Sequence, residues 1–216
     1  MDGAPILNVV GEKVGLGPKR RDLIPTYTRW INDLGTLRSL GAPPLPRTEE
    51  HQIAWFEAGV ASGDQHFDIY ELTTMRPVGG CDLRDIDHRN RVATMGMLIG
   101  EPEARGKGYG TEATRLLLDL AFTVHGLHSV WLTVYAYNLA GQRCYAKAGF
   151  REVGRRRQCR LMGGRLWDEV VMDILATEFE SPVLGRVFQP DVPAEPNSEG
   201  RGVFPLSRAS GEGAGG

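Results

Sequence analysis

The chain has 216 residues, 41% of them hydrophobic and 24% charged, with a net charge of −2. This make-up fits one ordinary domain with a real core, and it excludes a chain drawn to nucleic acid or an anionic membrane by its overall field. Three widely spaced cysteines, Cys81, Cys144 and Cys159, speak against a disulfide framework and for a reducing compartment, so a cytoplasmic location is expected. No apolar run is long enough to cross a bilayer, and "MDGAPILNVVGEK" lacks the basic-then-apolar order of a signal peptide.

Taken in chain order, "VVGEKVGLGP" from Val9 to Pro18 reads as a strand. In "RDLIPTYTRWINDL", Leu23, Tyr27, Trp30 and Ile31 fall at helical spacing, and "GAPPLP" after it must be a loop. Thr48 followed by Glu49 and Glu50 opens a second helix with capping chemistry, bounded by Gly59 and Gly63. "HFDIYEL", "RPVGGCDLRDI" and "RVATMGMLIG" form a three-stranded meander, with "DHRN" as the last turn. A helix is expected from about Thr111 to His125, with Ala113, Leu116, Leu117, Leu120 and Ala121 as its apolar stripe. "SVWLTVYA" reads as a buried strand and "LAGQRCYAKA" as a short helix ended by Gly149. "FREVGRRRQCRL" and "RLWDEVVMDIL" are two strands joined at Gly163-Gly164. The expected class is α/β (α+β), a mixed, mostly antiparallel sheet with helices on both faces. Residues 1–176 make the domain, and 177–216, rich in Pro, Gly, Ser and Glu, read as a disordered tail.

Before the Thr111 helix stands "RGKGYGTEA". Glycines let the backbone turn sharply and let a ligand approach, and a helix start leaves N–H groups without partners. Such a turn seats a phosphate, with Arg105 and Lys107 as cationic donors beside it; the plainer alternative is a solvated Gly-rich turn with a basic edge. The pattern is not a P-loop, and Gly106, Gly108 and Gly110 give G-x-G-x-G rather than G-x-G-x-x-G. The strand after the helix ends in "VYAYN", without the acidic residue that a dinucleotide site requires.

"RGKGYGTEATRLLLDLAF", "LHSVWLTVYAYNLAGQRCYAKAGFREVGRRR" and "GRLWDEVVMDIL" together resemble the GNAT superfamily of acyl-CoA-dependent N-acyltransferases. The resemblance is nearest its branch of ribosomal-protein N-terminal and spermidine acetyltransferases. It runs from about Val9 to Leu175 and is sharpest from Met95 to Phe150. It implies a GNAT fold and direct transfer of acetyl from acetyl-CoA to a primary amine in a ternary complex, without metal. The acceptor would be a protein N-terminus, a polyamine, or an amino-bearing metabolite or antibiotic, and the chain a possible homodimer.

The resemblance also implies residue roles. The coenzyme A pyrophosphate would rest on backbone N–H groups of Arg105, Gly106, Lys107, Gly108, Tyr109 and Gly110, with Thr111 at the helix start. Each charge-assisted bond there contributes about 1.5–3 kcal/mol. Pantetheine would lie between "TMGMLIG" and "WLTVYA", along the backbone of Met97, Leu98 and Ile99, with the Leu98 N–H on the thioester oxygen. Asn138 would contact the cofactor near its reacting end, or simply cap the next helix, and Tyr145 would protonate the departing thiolate. Many relatives carry a glutamate where Thr94 stands. Asp82 is the expected substitute, ahead of Glu71 and Asp85, with an arginine-paired surface carboxylate as the alternative. Thr94 also leaves open a non-catalytic coenzyme A sensor, and Met95 and Met97 leave open longer acyl groups.

Other signals point elsewhere or nowhere. "GRRRQCR" reads as a solvated strand face, and nothing matches a nucleic-acid module. His51, His66, His88, His125 and His128 show no metal-ligand spacing, and Cys144 has no evident base. There is no G-x-S-x-G elbow.

Overall fold

The structure is a computed structural model that describes residues 4–41 and 44–191. Among the described residues eight strands form one sheet, in the order β1-β2-β3-β4-β5-β6-β8-β7. The strands are β1 (Val9–Val10), β2 (Val14–Pro18), β3 (Gln65–Glu71), β4 (Arg76–Asp87), β5 (Val92–Ile99), β6 (Ser129–Tyr135), β7 (Arg151–Met162) and β8 (Arg165–Leu175). The stretch read as one strand near the N-terminus is a hairpin, because Gly11 turns the chain back with its N–H on the Val14 carbonyl. Every neighbouring pair is antiparallel except β5 and β6.

Alternation along each strand sorts its side chains to two faces. One face carries Cys81 and Leu83 of β4, Ala93 and Met95 of β5, and Leu132 and Val134 of β6. It packs against α4 (Tyr109–Asp119), through Ala113, Leu116 and Leu117, and against Tyr145 and Ala148 of α5 (Leu139–Ala148). The other face receives α1 (Ile24–Asn32), whose Ile24, Tyr27 and Trp30 enclose Leu98. The short α2 (Leu34–Leu37) and α3 (Glu49–Ser62) lie beyond it. Gly59 lies inside α3, which ends at Gly63. No helix among the described residues is long and apolar enough to cross a membrane.

The helix expected from Thr111 begins two residues earlier, and its last stretch, Leu120–Val124, widens into a π turn. That turn lies next to a second departure from expectation. The segment after 176 does not leave the domain: α6 (Leu184–Val187) buries Leu184, and Phe179 and Val183 pack on the main core. Its anchor is Asp119, fully buried at the end of α4. The carboxylate accepts from Thr123 Oγ1 at 2.8 Å, Ser181 Oγ at 2.6 Å, Val183 N at 3.0 Å and Leu184 N at 2.8 Å. A buried carboxylate is tolerable only with such a full complement of donors. The domain therefore runs past 176, and the rest of the expected tail, from residue 192, lies outside the described residues.

Candidate active site

β5 and β6 run side by side for three residues, Val92↔Ser129, Ala93↔Val130 and Thr94↔Trp131. Beyond Thr94 they part. β5 stays with β4 up to Ile99, and β6 stays with β8 through Tyr135. A fork opens between them, and the backbone along its inner edges has no strand to pair with.

The groups that face this fork follow from alternation, since successive residues direct their N–H and C=O to opposite sides. At the start of β5, the Arg91 carbonyl accepts from His128 and Ser129, on the β6 side. At its end, Gly100 N–H reaches Val78 at 3.0 Å, on the β4 side. The Leu98 carbonyl also lies on the β4 side, against Gly79. Odd-numbered residues of β5 thus face the fork and even-numbered ones face β4. This corrects the expectation for Leu98: its N–H belongs to the β4 ladder, opposite Gly80. Met97 and Ile99 present their amides to the fork. The Ile99 carbonyl is already taken, by Arg105 Nε at 3.2 Å.

The glycine run borders the same cleft. Gly106 and Gly108 have φ of +77° and +89°, left-handed values that favour glycine. The first N–H of α4 to find a helical acceptor is that of Glu112, on Gly108 O. The N–H groups of Gly106, Lys107, Gly108, Tyr109, Gly110 and Thr111 therefore have no backbone acceptor among the described residues. Arg105 departs from expectation in both its groups. Its N–H closes a turn on Pro102 O, and its guanidinium points back to Thr36 Oγ1 at 2.7 Å and the Gly100 carbonyl. It ties α2 to the end of β5. Lys107 stands near Glu71 at 3.8 Å and over the Tyr109 ring, and Thr111 Oγ1 meets Cys144 Sγ at 3.6 Å.

The fork and the turn line one cleft of about 700 Å³ with α5, from Leu139 to Lys147. Arg38, Arg105, Arg143 and Lys147 border it, and no carboxylate among the described residues does. A long, polyanionic group with an amide-bearing arm fits this donor set: bare N–H groups at a helix start, cations at the rim, and strand amides along the fork. Asn138 caps α5, its Oδ1 accepting from Gly141 N at 3.0 Å, and also lines the cleft. Tyr145 is 8% exposed and packs edge-on to Phe150 at 5.9 Å. Its hydroxyl has no partner among the described residues, and burial raises its pKa, so the phenol is protonated at neutral pH. Burial likewise pushes the Cys144 thiol up, which keeps it inert.

The candidate carboxylates lie apart from the cleft lining. Asp82, cross-strand from Gly96, is held by Arg84 Nε at 2.7 Å. Its charge still acts on the Tyr145 phenol, after desolvation and Cys144. Glu71 is engaged by Thr74, Tyr109 and Lys107, and the first two hold it below its ordinary pKa. Asp85 is exposed at the far end of β4, with φ of +53°. Thr94 is the last residue of β5 that pairs with β6.

Sequence reasoning missed Glu101. It is 5% exposed and accepts from Arg29 and from Trp30 Nε1 at 3.0 Å. It fastens α1 to the chain between β5 and the glycine run. Only its place, one residue before Pro102, hinted that a polar group was held there.

Comparison with known proteins agrees with this architecture. A family model described as an acetyltransferase (GNAT) domain matches residues 15–151. The SPbeta prophage-derived uncharacterized N-acetyltransferase YokL of Bacillus subtilis is 26% identical over 144 residues, which cover 67% of this chain and 80% of that protein. Spermidine N(1)-acetyltransferase of Vibrio cholerae is 27% identical over 139 residues, covering 58% of this chain and 80% of the relative. The crystal structure of spermidine N-acetyltransferase from Vibrio cholerae in complex with CoA and spermine superposes with a TM-score of 0.71 at 21% identity. The match covers 78% of this chain and 98% of that one, and shows a shared fold. The chain belongs to the GNAT family of acetyltransferases and is an acetyl-CoA-dependent N-acetyltransferase.

Proposed function

We propose that acetyl-CoA lies with its pyrophosphate on the N–H groups of residues 106–111 and its arm along the fork, and that the acceptor is a primary amine reaching the fork from the α1–α2 side. The observation that carries this reading is the convergence, among the described residues, of two sets of unpaired backbone amides on one cleft bordered by cations and not by carboxylates. The names of the relatives, spermidine acetyltransferases among them, support an amine as acceptor.

Acetyl-CoA supplies the activated acetyl group; the chain positions it and manages charge and protons. The Met97 N–H takes the place first expected for Leu98, as the donor to the thioester oxygen. Preorganised amides of this kind stabilise charge without reorganising. Ile99 N–H holds the arm one pleat further along. Arg143 and Lys147 act on the anionic end of the donor. Tyr145, whose hydroxyl is free and protonated, gives its proton to the departing thiolate. Asp82 attracts the amine and takes its proton through water, once a cationic acceptor competes with Arg84 for the carboxylate.

The test is Tyr145→Phe. Turnover is expected to fall about 100-fold, the usual scale for losing a general acid, while acetyl-CoA binding measured by calorimetry is unchanged. A rate equal to wild type would remove Tyr145 from the chemistry.

A further inference from the structure

Three arginines and three aromatic rings make a wall beside the fork. Tyr135 ends β6 and Tyr137 follows it; their rings stack at 5.3 Å and 18°. Trp167 of β8 meets Tyr137 edge-on at 5.8 Å. Tyr137 Oη donates to the Arg38 carbonyl at 2.7 Å. The loop after α2 lies on the same stack: a Cβ at Gly41 would fall 2.0 Å from Tyr135 Oη. Arg160 covers the Tyr135 ring at 4.9 Å and Arg165 covers Trp167 at 4.4 Å. Arg38, Thr133 and Tyr137 also line the reaction cleft, so wall and fork are continuous.

The charge of this wall is one-sided. The carboxylates near it are taken by other arginines: Glu169 by Arg156 at 3.1 Å, and Glu152 and Asp168 by Arg155 at 2.6 Å and 3.9 Å. Arg38, Arg160 and Arg165 form no ion pair among the described residues. Among the described residues a polyamine would find no unpaired carboxylate on this wall, and the Tyr135 and Trp167 ring faces that attract cations are already covered by guanidinium groups. A carboxylate would find planar donors that can grip it with two bonds. The surface continues from Trp167 and Arg165 into a second hollow of about 670 Å³, bordered by Gln158, Gly164, Leu166 and the Arg155–Asp168 pair. That is more room than a small amine needs.

Resting on the reading that this chain acetylates a primary amine, we infer that the acceptor is the N-terminus of an acidic peptide or protein. Its α-amino group enters the fork, and carboxylates of its next residues meet Arg38, Arg160 and Arg165. The nitrogen bonds to the acetyl carbon as the thioester C–S bond breaks, and the amine proton and the thiolate end as a thiol.

The experiment compares thiol release from acetyl-CoA with three acceptors: Ala-Asp-Glu-Gly-Gly-Gly, Ala-Lys-Lys-Gly-Gly-Gly and spermidine. The acidic peptide is expected to have a kcat/KM about tenfold or more above the other two, falling with added salt, because like charges penalise the wrong partner. In the double variant R160E/R165E the preference between the two peptides reverses. Its folding is checked by thermal melt and acetyl-CoA affinity. A better rate with spermidine or the lysine peptide overturns this inference alone and leaves amine acetylation standing. A peptide preference that survives the double variant also overturns it. Bound acetyl-CoA with no thiol release for any acceptor overturns both this inference and the function it rests on.

Discussion

Adding acetyl-CoA is expected to perturb only those β5 amides that face the fork, and amide hydrogen exchange read residue by residue sees them one at a time. Without ligand, the N–H groups of Met97 and Ile99 have no strand partner on the β6 side, where pairing stops at Thr94. Leu98 N–H, opposite Gly80, is already protected by the β4 ladder. Once the donor occupies the fork, exchange at 97 and 99 must wait for it to leave. With free ligand at 100 times Kd, the bound state is favoured by about 2.7 kcal/mol, so exchange at these positions slows about 100-fold. Leu98 should change far less, since its bond exists in both states. The assay is deuterium exchange followed by NMR, with and without acetyl-CoA. Slowing at Leu98 with none at Met97 would refute the alternation argument and restore Leu98 as the donor to the thioester.

Two further outcomes follow from buried carboxylates. Asp119→Ala leaves four donors on Thr123, Ser181, Val183 and Leu184 without their acceptor. Removing such a group costs about 2–4 kcal/mol, or about 5–15 °C in Tm for a chain of this size. A melting curve equal to wild type would show that the 181–187 segment is not held by this residue. Glu101 is kept below its ordinary pKa by hydrogen bonds from Arg29 and Trp30, opposed by desolvation. A depressed carboxylate contributes stability above its unfolded value and loses it as pH falls through the folded one. The Tm gap between wild type and Glu101→Gln should therefore be full at pH 7 and shrink below about pH 4.5. A gap independent of pH would mean that Glu101 acts by shape alone.

The sequence announced the glycine turn, the strands on either side of the fork, the α5 cap and the position of Tyr145 on the cleft wall, because each has a local signature. Alternation, turn glycines and an Asn at a helix start are written within a few residues. What was misread depends on distant partners. Leu98 and Met97 are adjacent in the chain, and only the identity of the neighbouring strands decides which faces the fork. Arg105 looked like a phosphate ligand from its place beside the glycines, yet Thr36, 69 positions away, takes its side chain. The segment after 176 has tail-like composition, and its anchor lies more than 60 positions earlier, in Asp119. Glu101 gave only the hint of its place before Pro102, because Arg29 and Trp30, which make it tolerable in the interior, lie more than 70 positions away in α1.

The hold of Asp119 on the chain beyond β8 bears on how the protein can be cut. The family match stops at residue 151, and by composition alone the domain would be trimmed at 176. Either cut removes Ser181, Val183 and Leu184 from the carboxylate and leaves Thr123 as its one remaining donor among the described residues, at the foot of the helix that follows the glycine turn. Shortened versions would be expected to bind acetyl-CoA less well at the opposite end of that helix, although no residue lining the cleft had been removed.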